Sequence, residues 1–239
     1  MLSSSEEEGG AFAELPPMSC CSRGDQLRGA AAVAVEESDS AAGQVLLVRG
    51  GDDDYYSLST VQLVDLATGA CAQQPDLLHR RAYAAAGRLP DGRVVCAGGL
   101  GSGSSAEVWG APTQGAADAA WSWRALPAMS VPRSGCRGCV LSDGRFAVLG
   151  GKSSNFVPKS SCEALVVDDG DAHHREPLPP MHDARMFFSC GTVAGCPIVA
   201  GGRGLKSAEL YDAELNRWLR LPCDLPYESG LGGMGSAVL

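Results

Sequence analysis

The chain has 239 residues, 45% of them hydrophobic and 20% charged, with a net charge of -9. That length suffices for one domain with a sizeable core, and the acidic balance argues against nucleic acid or an anionic membrane as partner. No apolar run reaches the roughly 18 residues needed to cross a bilayer, and the start, MLSSSEEEGG, lacks a signal-peptide core, so the expected location is the cytoplasm, with the nucleus second.

Residues 1 to 11 are mostly Ser, Glu and Gly and read as a disordered acidic tail, after which residues 12 to 18 supply one outer strand. A first repeat spans residues 23 to 75, with a small-residue strand AAAVAV from Ala30, then QVLLVRGG, then TVQLVDL, then a weak fourth strand near Cys71. Between its second and third strands lies DDDYY, residues 52 to 56, a solvated loop whose Tyr55 and Tyr56 suit contact with a partner. Further repeats follow at residues 76 to 127, 128 to 179 and 180 to 222. Each opens with a strand crowded with small residues: YAAAG from Tyr83, SGCRGCV from Ser134, SCGTV from Ser189. Each continues with a short apolar strand, RVVCA, RFAVL or PIVA, closed by a glycine pair. Gln73 to Leu89 has good helix propensity, but the register of the repeats assigns it to strands. SGLGGMGSAV, within residues 229 to 239, reads as one more inner strand.

Four landmarks recur at fixed offsets. Arg81, Arg133 and Arg185 stand 52 residues apart, each seven past the Leu or Gln of a Leu-Pro or Gln-Pro pair. Gly50-Gly51, Gly98-Gly99, Gly150-Gly151 and Gly201-Gly202 close hydrophobic runs, and Trp123 and Trp218 precede Leu-Pro pairs by three residues. A period near 50 carried by independent landmarks predicts a repeat architecture in which no unit buries its apolar faces alone.

This pattern resembles the Kelch repeat, and residues 184 to 222, ARMFFSCGTVAGCPIVAGGRGLKSAELYDAELNRWLRLP, are similar to the units of plant F-box/Kelch proteins. Cys71 and Arg175 replace the tryptophan of that pattern, Glu228 replaces the arginine, and Trp109-Gly110 replaces Tyr-Asp. The resemblance implies an all-β propeller. Four complete four-stranded antiparallel blades are expected, with a stray outer strand at residues 12 to 18 and a stray inner strand at 229 to 239, in an incomplete ring. Small side chains suit the innermost strands, which converge on the axis, and the tryptophans of the outer strands are expected to wedge between blades.

The resemblance also implies a non-catalytic, protein-binding role, extending to substrate recognition in a ubiquitin-ligase adaptor, although no F-box is present. In several Kelch relatives equivalent arginines resemble a ring of cations gripping acidic or polar peptide segments. Arg81, Arg133 and Arg185 are therefore the candidate partner-binding residues, with Tyr55 and Tyr56. The competing reading makes the arginines struts that bridge blades through backbone carbonyls. The alternative function is a propeller enzyme, similar to a galactose-oxidase-like copper oxidase or a sugar-processing enzyme.

No catalytic residue, metal site or cofactor is assigned. Cys136 and Cys139 have CxxC spacing but no second pair to complete four ligands. His173, His174 and His182 lie near Asp168, Asp169 and Asp171, in a stretch with the composition of an exposed turn. Gly99, Gly101 and Gly103 mimic a dinucleotide loop without the helix it requires. Cys96, Cys136, Cys139, Cys190 and Cys196 fall inside strands and are expected to be reduced, with no disulfide framework.

Overall fold

The computed structural model describes residues 28–36, 43–51, 56–111, 120–167, 173–222 and 224–226. Among them are 16 strands and no helix. The first sheet holds β1 (Ala31–Glu36), β2 (Gln44–Val48), β3 (Val61–Asp65) and β4 (Cys71–Gln74). The second holds β5 (Ala85–Arg88), β6 (Val94–Ala97), β7 (Ala106–Gly110) and β8 (Ser122–Leu126). The third holds β9 (Arg137–Val140), β10 (Phe146–Leu149), β11 (Cys162–Val166) and β12 (His174–Leu178). The fourth holds β13 (Ser189–Val193), β14 (Cys196–Ala200), β15 (Ala208–Asp212) and β16 (Arg217–Arg220). Each sheet is an antiparallel meander with its strands side by side in chain order, which makes each a propeller blade. The expected stray strands at 12–18 and 229–239 and the acidic tail lie outside the described residues.

First strands pack against one another in sequence, β1 on β5, β5 on β9, β9 on β13, so they line the axis. Three cores fill the gaps between consecutive blades. Val33, Leu46, Val48 and Val61 of blade 1 meet Leu77, Val94, Cys96 and Trp123 of blade 2. Val95, Ala97 and Val108 of blade 2 meet Phe146, Val148 and Leu165 of blade 3. Ala147, Leu149 and Ala164 of blade 3 meet Phe188, Val199, Tyr211 and Trp218 of blade 4.

This sandwiching explains the continuous apolar runs. In β6 and β10 all four residues are buried, because the blades on either side cover both faces of the sheet. In β14, which has a described neighbour on one side, burial alternates: Pro197 and Val199 are buried, while Ile198 and Ala200 are half-buried. The small residues of the first strands make room for Phe146. A Cβ on Gly87 would come within 2.8 Å of its ring, and one on Gly138 would also collide with it.

Trp123 and Trp218 do wedge between blades, and each is tied to the Gln-Pro or Leu-Pro pair of the blade before it. Trp123 Nε1 donates to Pro75 O at 3.0 Å and Trp218 Nε1 to Pro179 O at 3.0 Å. The indole of one blade thus satisfies the carbonyl that ends the blade before it, while its ring fills the core between them.

Candidate functional site

A meander puts the loops between second and third strands, and the connections from one blade to the next, at the same end of the molecule. This loop face is where the three arginine-bearing crossings and the longest loops collect. At the opposite end the tight Asp-Gly-Arg turns of blades 2 and 3 close the first hairpins. There Arg145 Nε donates to Asp143 Oδ2 at 2.7 Å, and this hydrogen bond holds the Asp143 carboxyl below its ordinary range.

Arg81, Arg133 and Arg185 stand at the loop face but do not open onto it. Their exposures are 0%, 2% and 0%. Each guanidinium meets a buried carboxylate on the third strand of its own blade. Arg81 Nε lies 3.1 Å from Glu107 Oε1, Arg133 Nη2 3.1 Å from Glu163 Oε1, and Arg185 Nη2 2.9 Å from Glu209 Oε1. Each Nη1 also donates to the carbonyl of the first glycine of a pair: Gly98 at 2.6 Å, Gly150 at 2.9 Å, Gly201 at 2.6 Å. The second carboxylate oxygen accepts a main-chain N–H from the segment leading into the blade, from Leu78 at 2.7 Å, Ser130 at 2.9 Å and His182 at 2.7 Å.

The expected cation ring that grips a partner is therefore corrected: these donors are consumed inside the fold. The strut reading is corrected in one respect as well. The side chains staple their own blades, and the main chain joins neighbours, with Gly99 N–H donating to Arg133 O at 2.7 Å and Gly151 N–H to Arg185 O at 2.8 Å. Glu107, Glu163 and Glu209 were not singled out from sequence. Their signal was there, a glutamate as the second residue of the third strand in three copies.

In blade 1 the same strand position holds Gln62, whose Oε1 is buried without a hydrogen-bond partner among the described residues.

Nearer the axis, Gly29, Tyr83, Gly135 and Phe187 occupy equivalent positions at the mouths of blades 1 to 4. Tyr83 N–H donates to Gly29 O, Gly135 N–H to Tyr83 O and Phe187 N–H to Gly135 O, each at 2.9 Å. All four residues take the left-handed conformation, with φ of 63°, 56°, 62° and 55°. The two aromatic rings meet edge to face with centroids 5.3 Å apart, reaching from blades 2 and 4 across blade 3. A Cβ on Gly135 would come within 2.8 Å of the Phe187 ring, so glycine at the intervening position lets the rings touch.

Tyr56 is 67% exposed on the loop between β2 and β3, and Tyr55 lies outside the described residues. Cys136 and Cys139 are buried free thiols, as are Cys96 and Cys190, and burial pushes Cys96 up to about 12. Cys71 is disulfide-bonded, which departs from the expectation of no disulfide framework. The histidines disperse: His174 Nε2 lies 3.4 Å from Glu176 Oε1 on β12, and His182 Nε2 lies 3.0 Å from Trp218 O in blade 4. Among the described residues no three His, Cys, Asp or Glu side chains are placed to hold a metal ion.

No protein-family model matches the chain. Over 113 residues, 40% of its length, it is 32% identical to human (Homo sapiens) Kelch-like protein 34, and the match spans 17% of that protein. The solved structure of YjhT superposes on 88% of the chain and over 73% of its own length, with a TM-score of 0.65 at 11% identity, a likeness of fold. A fungal alcohol oxidase of the AA5 family in complex with copper superposes on 85% of the chain and 54% of its own, at a TM-score of 0.47 and 13% identity, too loose to bear on function. With its landmarks repeating near every 50 residues, its four meander blades packed in sequence order and its match to a Kelch-like protein, the chain has the architecture of a Kelch-type β-propeller and is similar in sequence to a Kelch-like protein over part of its length.

Proposed function

We propose that the chain is a non-catalytic module that binds a protein partner through its loop face. One observation carries this reading. Of the large hydrophobic side chains exposed among the described residues, Tyr56, Leu78, Leu100, Phe156 and Val157 all sit on loops or connections of that face. Trp121, Val193 and Leu215 are left for the other end. An apolar set gathered on one side marks an interaction surface rather than scattered chance exposure. Rigid blades beneath and variable loops above suit recognition.

We infer further that the partner is a substrate presented by a ubiquitin-ligase adaptor in the cytoplasm or nucleus. The support is the resemblance to Kelch repeats in such adaptors, and fold alone does not fix that role. No placement favours the oxidase alternative: the Tyr83 ring packs on Phe187, Tyr211 on Trp218, and the histidines disperse.

Affinity capture from cell extract with matched variants tests the binding face. Leu100→Glu and Tyr56→Glu are expected to lose the partner without a change in Tm, while Leu215→Glu at the other end keeps it. Loss with Leu215→Glu alone would move the binding surface to the opposite end. If depleting the chain leaves the partner's half-life unchanged, the adaptor role fails.

A further inference from the structure

At the end opposite the loop face, blades 2 and 3 close their first hairpins with Asp91-Gly92-Arg93 and Asp143-Gly144-Arg145. An Asp-Gly junction is chemically fragile wherever the chain is free to move. The glycine nitrogen attacks the side-chain carboxyl carbon: the N–Cγ bond forms, the Cγ–OH bond breaks and water leaves, giving a five-membered succinimide. Water then opens that ring at either carbonyl, and opening at the main-chain carbonyl leaves isoaspartate, with the backbone rerouted through the side chain. No other reactant is needed. Glycine favours the attack because it has no side chain to restrict the approach. The Asp91 and Asp143 side chains are 41% and 48% exposed, so burial does not withhold water from either.

The structure restrains both reacting groups. Gly92 N–H donates to Leu89 O at 3.0 Å and Gly144 N–H to Leu141 O at 2.9 Å, so each attacking nitrogen is engaged in its turn. On the carboxylates, both oxygens are taken by the arginine two residues further on. Asp91 Oδ1 accepts the Arg93 N–H at 3.0 Å and its Oδ2 accepts Arg93 Nε at 2.7 Å. Asp143 repeats the arrangement, with Arg145 N–H on Oδ1 at 3.1 Å and Arg145 Nε on Oδ2 at 2.7 Å. Such bonds favour the carboxylate, whereas the attack needs the acid, whose hydroxyl leaves as water. Burial pushes the Asp91 carboxyl up, and the bonds from Arg93 outweigh it and hold that group below its ordinary range. Each guanidinium is anchored from behind: Arg93 Nη2 donates to Val167 O at 2.8 Å and Arg145 Nη1 to Glu176 Oε2 at 2.6 Å.

Blade 4 separates this role from that of making a turn. Its first hairpin closes from Val193 to Cys196 over Ala194 and Gly195, at φ of 50° and 76°. Alanine stands in place of the aspartate there, and Cys196 follows in place of the arginine. A hairpin at this site therefore forms with neither residue, and the arginine is found where an Asp-Gly bond needs it. We propose that Asp91-Gly92 and Asp143-Gly144 are latent sites of isoaspartate formation, kept closed by Arg93 and Arg145, which pin each carboxylate. Glu176 is a positioning residue for Arg145.

Prolonged incubation of the purified chain in heavy-oxygen water tests it. Each succinimide that opens takes one labelled oxygen into aspartate or isoaspartate, which mass spectrometry reads peptide by peptide. The wild type is expected to stay unlabelled at both bonds while the urea-unfolded chain acquires label at both. Arg145→Gln should raise labelling at Asp143-Gly144 by roughly tenfold or more and leave Asp91-Gly92 as it was, and Arg93→Gln should do the reverse. Glu176→Gln loosens Arg145 without removing it and should give a smaller rise at Asp143-Gly144. Exposed ion pairs contribute little to stability, so Tm should hold in all three variants. Labelling of the folded wild type as fast as the unfolded chain overturns the proposal, as do arginine variants that stay as slow as the wild type. A rise at both bonds in either arginine variant, which a general loosening of the fold would produce, overturns it as well.

Discussion

Arg185 Nη2 and Glu209 Oε1 lie 2.9 Å apart with both side chains fully buried, and the same pair recurs as Arg133 with Glu163 at 3.1 Å. Neither charge has access to water, so removing one partner leaves the other uncompensated. Arg185→Ala is expected to lower the unfolding free energy by about 3–5 kcal/mol. Arg185→Lys should recover little of it, because an ammonium cannot reach the carboxylate and the Gly201 and Ser207 carbonyls together. The double replacement Arg185→Met with Glu209→Leu should be far milder than either single change. Urea unfolding of the four chains checks the ordering, and equal losses in single and double variants would deny the pairing.

Blade 1 offers the opposite experiment. Gln62 stands where the other blades carry their glutamate, and its Oε1 has no partner among the described residues. Gln62→Leu removes an unsatisfied acceptor and should be neutral or stabilising by about 1 kcal/mol. Glu107→Leu strands the Arg81 guanidinium and should cost several times more. Denaturation midpoints of the two variants give the comparison directly.

Burial of Cys96 predicts a loss of stability in alkali. Its ordinary value is 9.0 and the folded value about 12. Within that window the unfolded chain releases the proton and the folded chain keeps it, so its contribution is complete below pH 9.0 and lost as pH rises toward 12. Cys162, pushed up to about 11, acts in the same direction. Cys96→Ala should flatten the decline in urea midpoint between neutral pH and about pH 10.5. An unaltered slope would show that other groups cause it.

At the axis, Gly135→Ala adds a methyl group 2.8 Å from the Phe187 ring, at a φ of 62°. The expected cost is about 1–3 kcal/mol, and the Tyr83–Phe187 contact should part. The companion variant Gly135→Ala with Phe187→Gly removes the clash and should recover part of the loss. Tm values, with tyrosine fluorescence as a report on Tyr83, follow both.

Much of the fold was legible because its determinants repeat. The four blades, the buried second strands and the wedging tryptophans each recur at one offset, and recurrence reports equal surroundings. What recurrence does not report is whether those surroundings are wet. Arg81, Arg133 and Arg185 do stand at the start of blades 2 to 4, yet their exposure depends on carboxylates 26, 30 and 24 residues further along. Those carboxylates reach the arginines only once the third strand has folded back. The Tyr83–Phe187 contact was hidden for a related reason, since its register alternates aromatic with glycine and so looks unrepeated.

The three cores each lie between two sheets, so every blade draws its stability from its neighbours rather than from itself. Blades 2 and 3 are flanked by described neighbours on both sides, and blades 1 and 4 on one. Opening should then proceed like a zip from the ends of the row. In native-state hydrogen exchange the amides of β6 and β10 would be the last to trade their protons, long after those of β14.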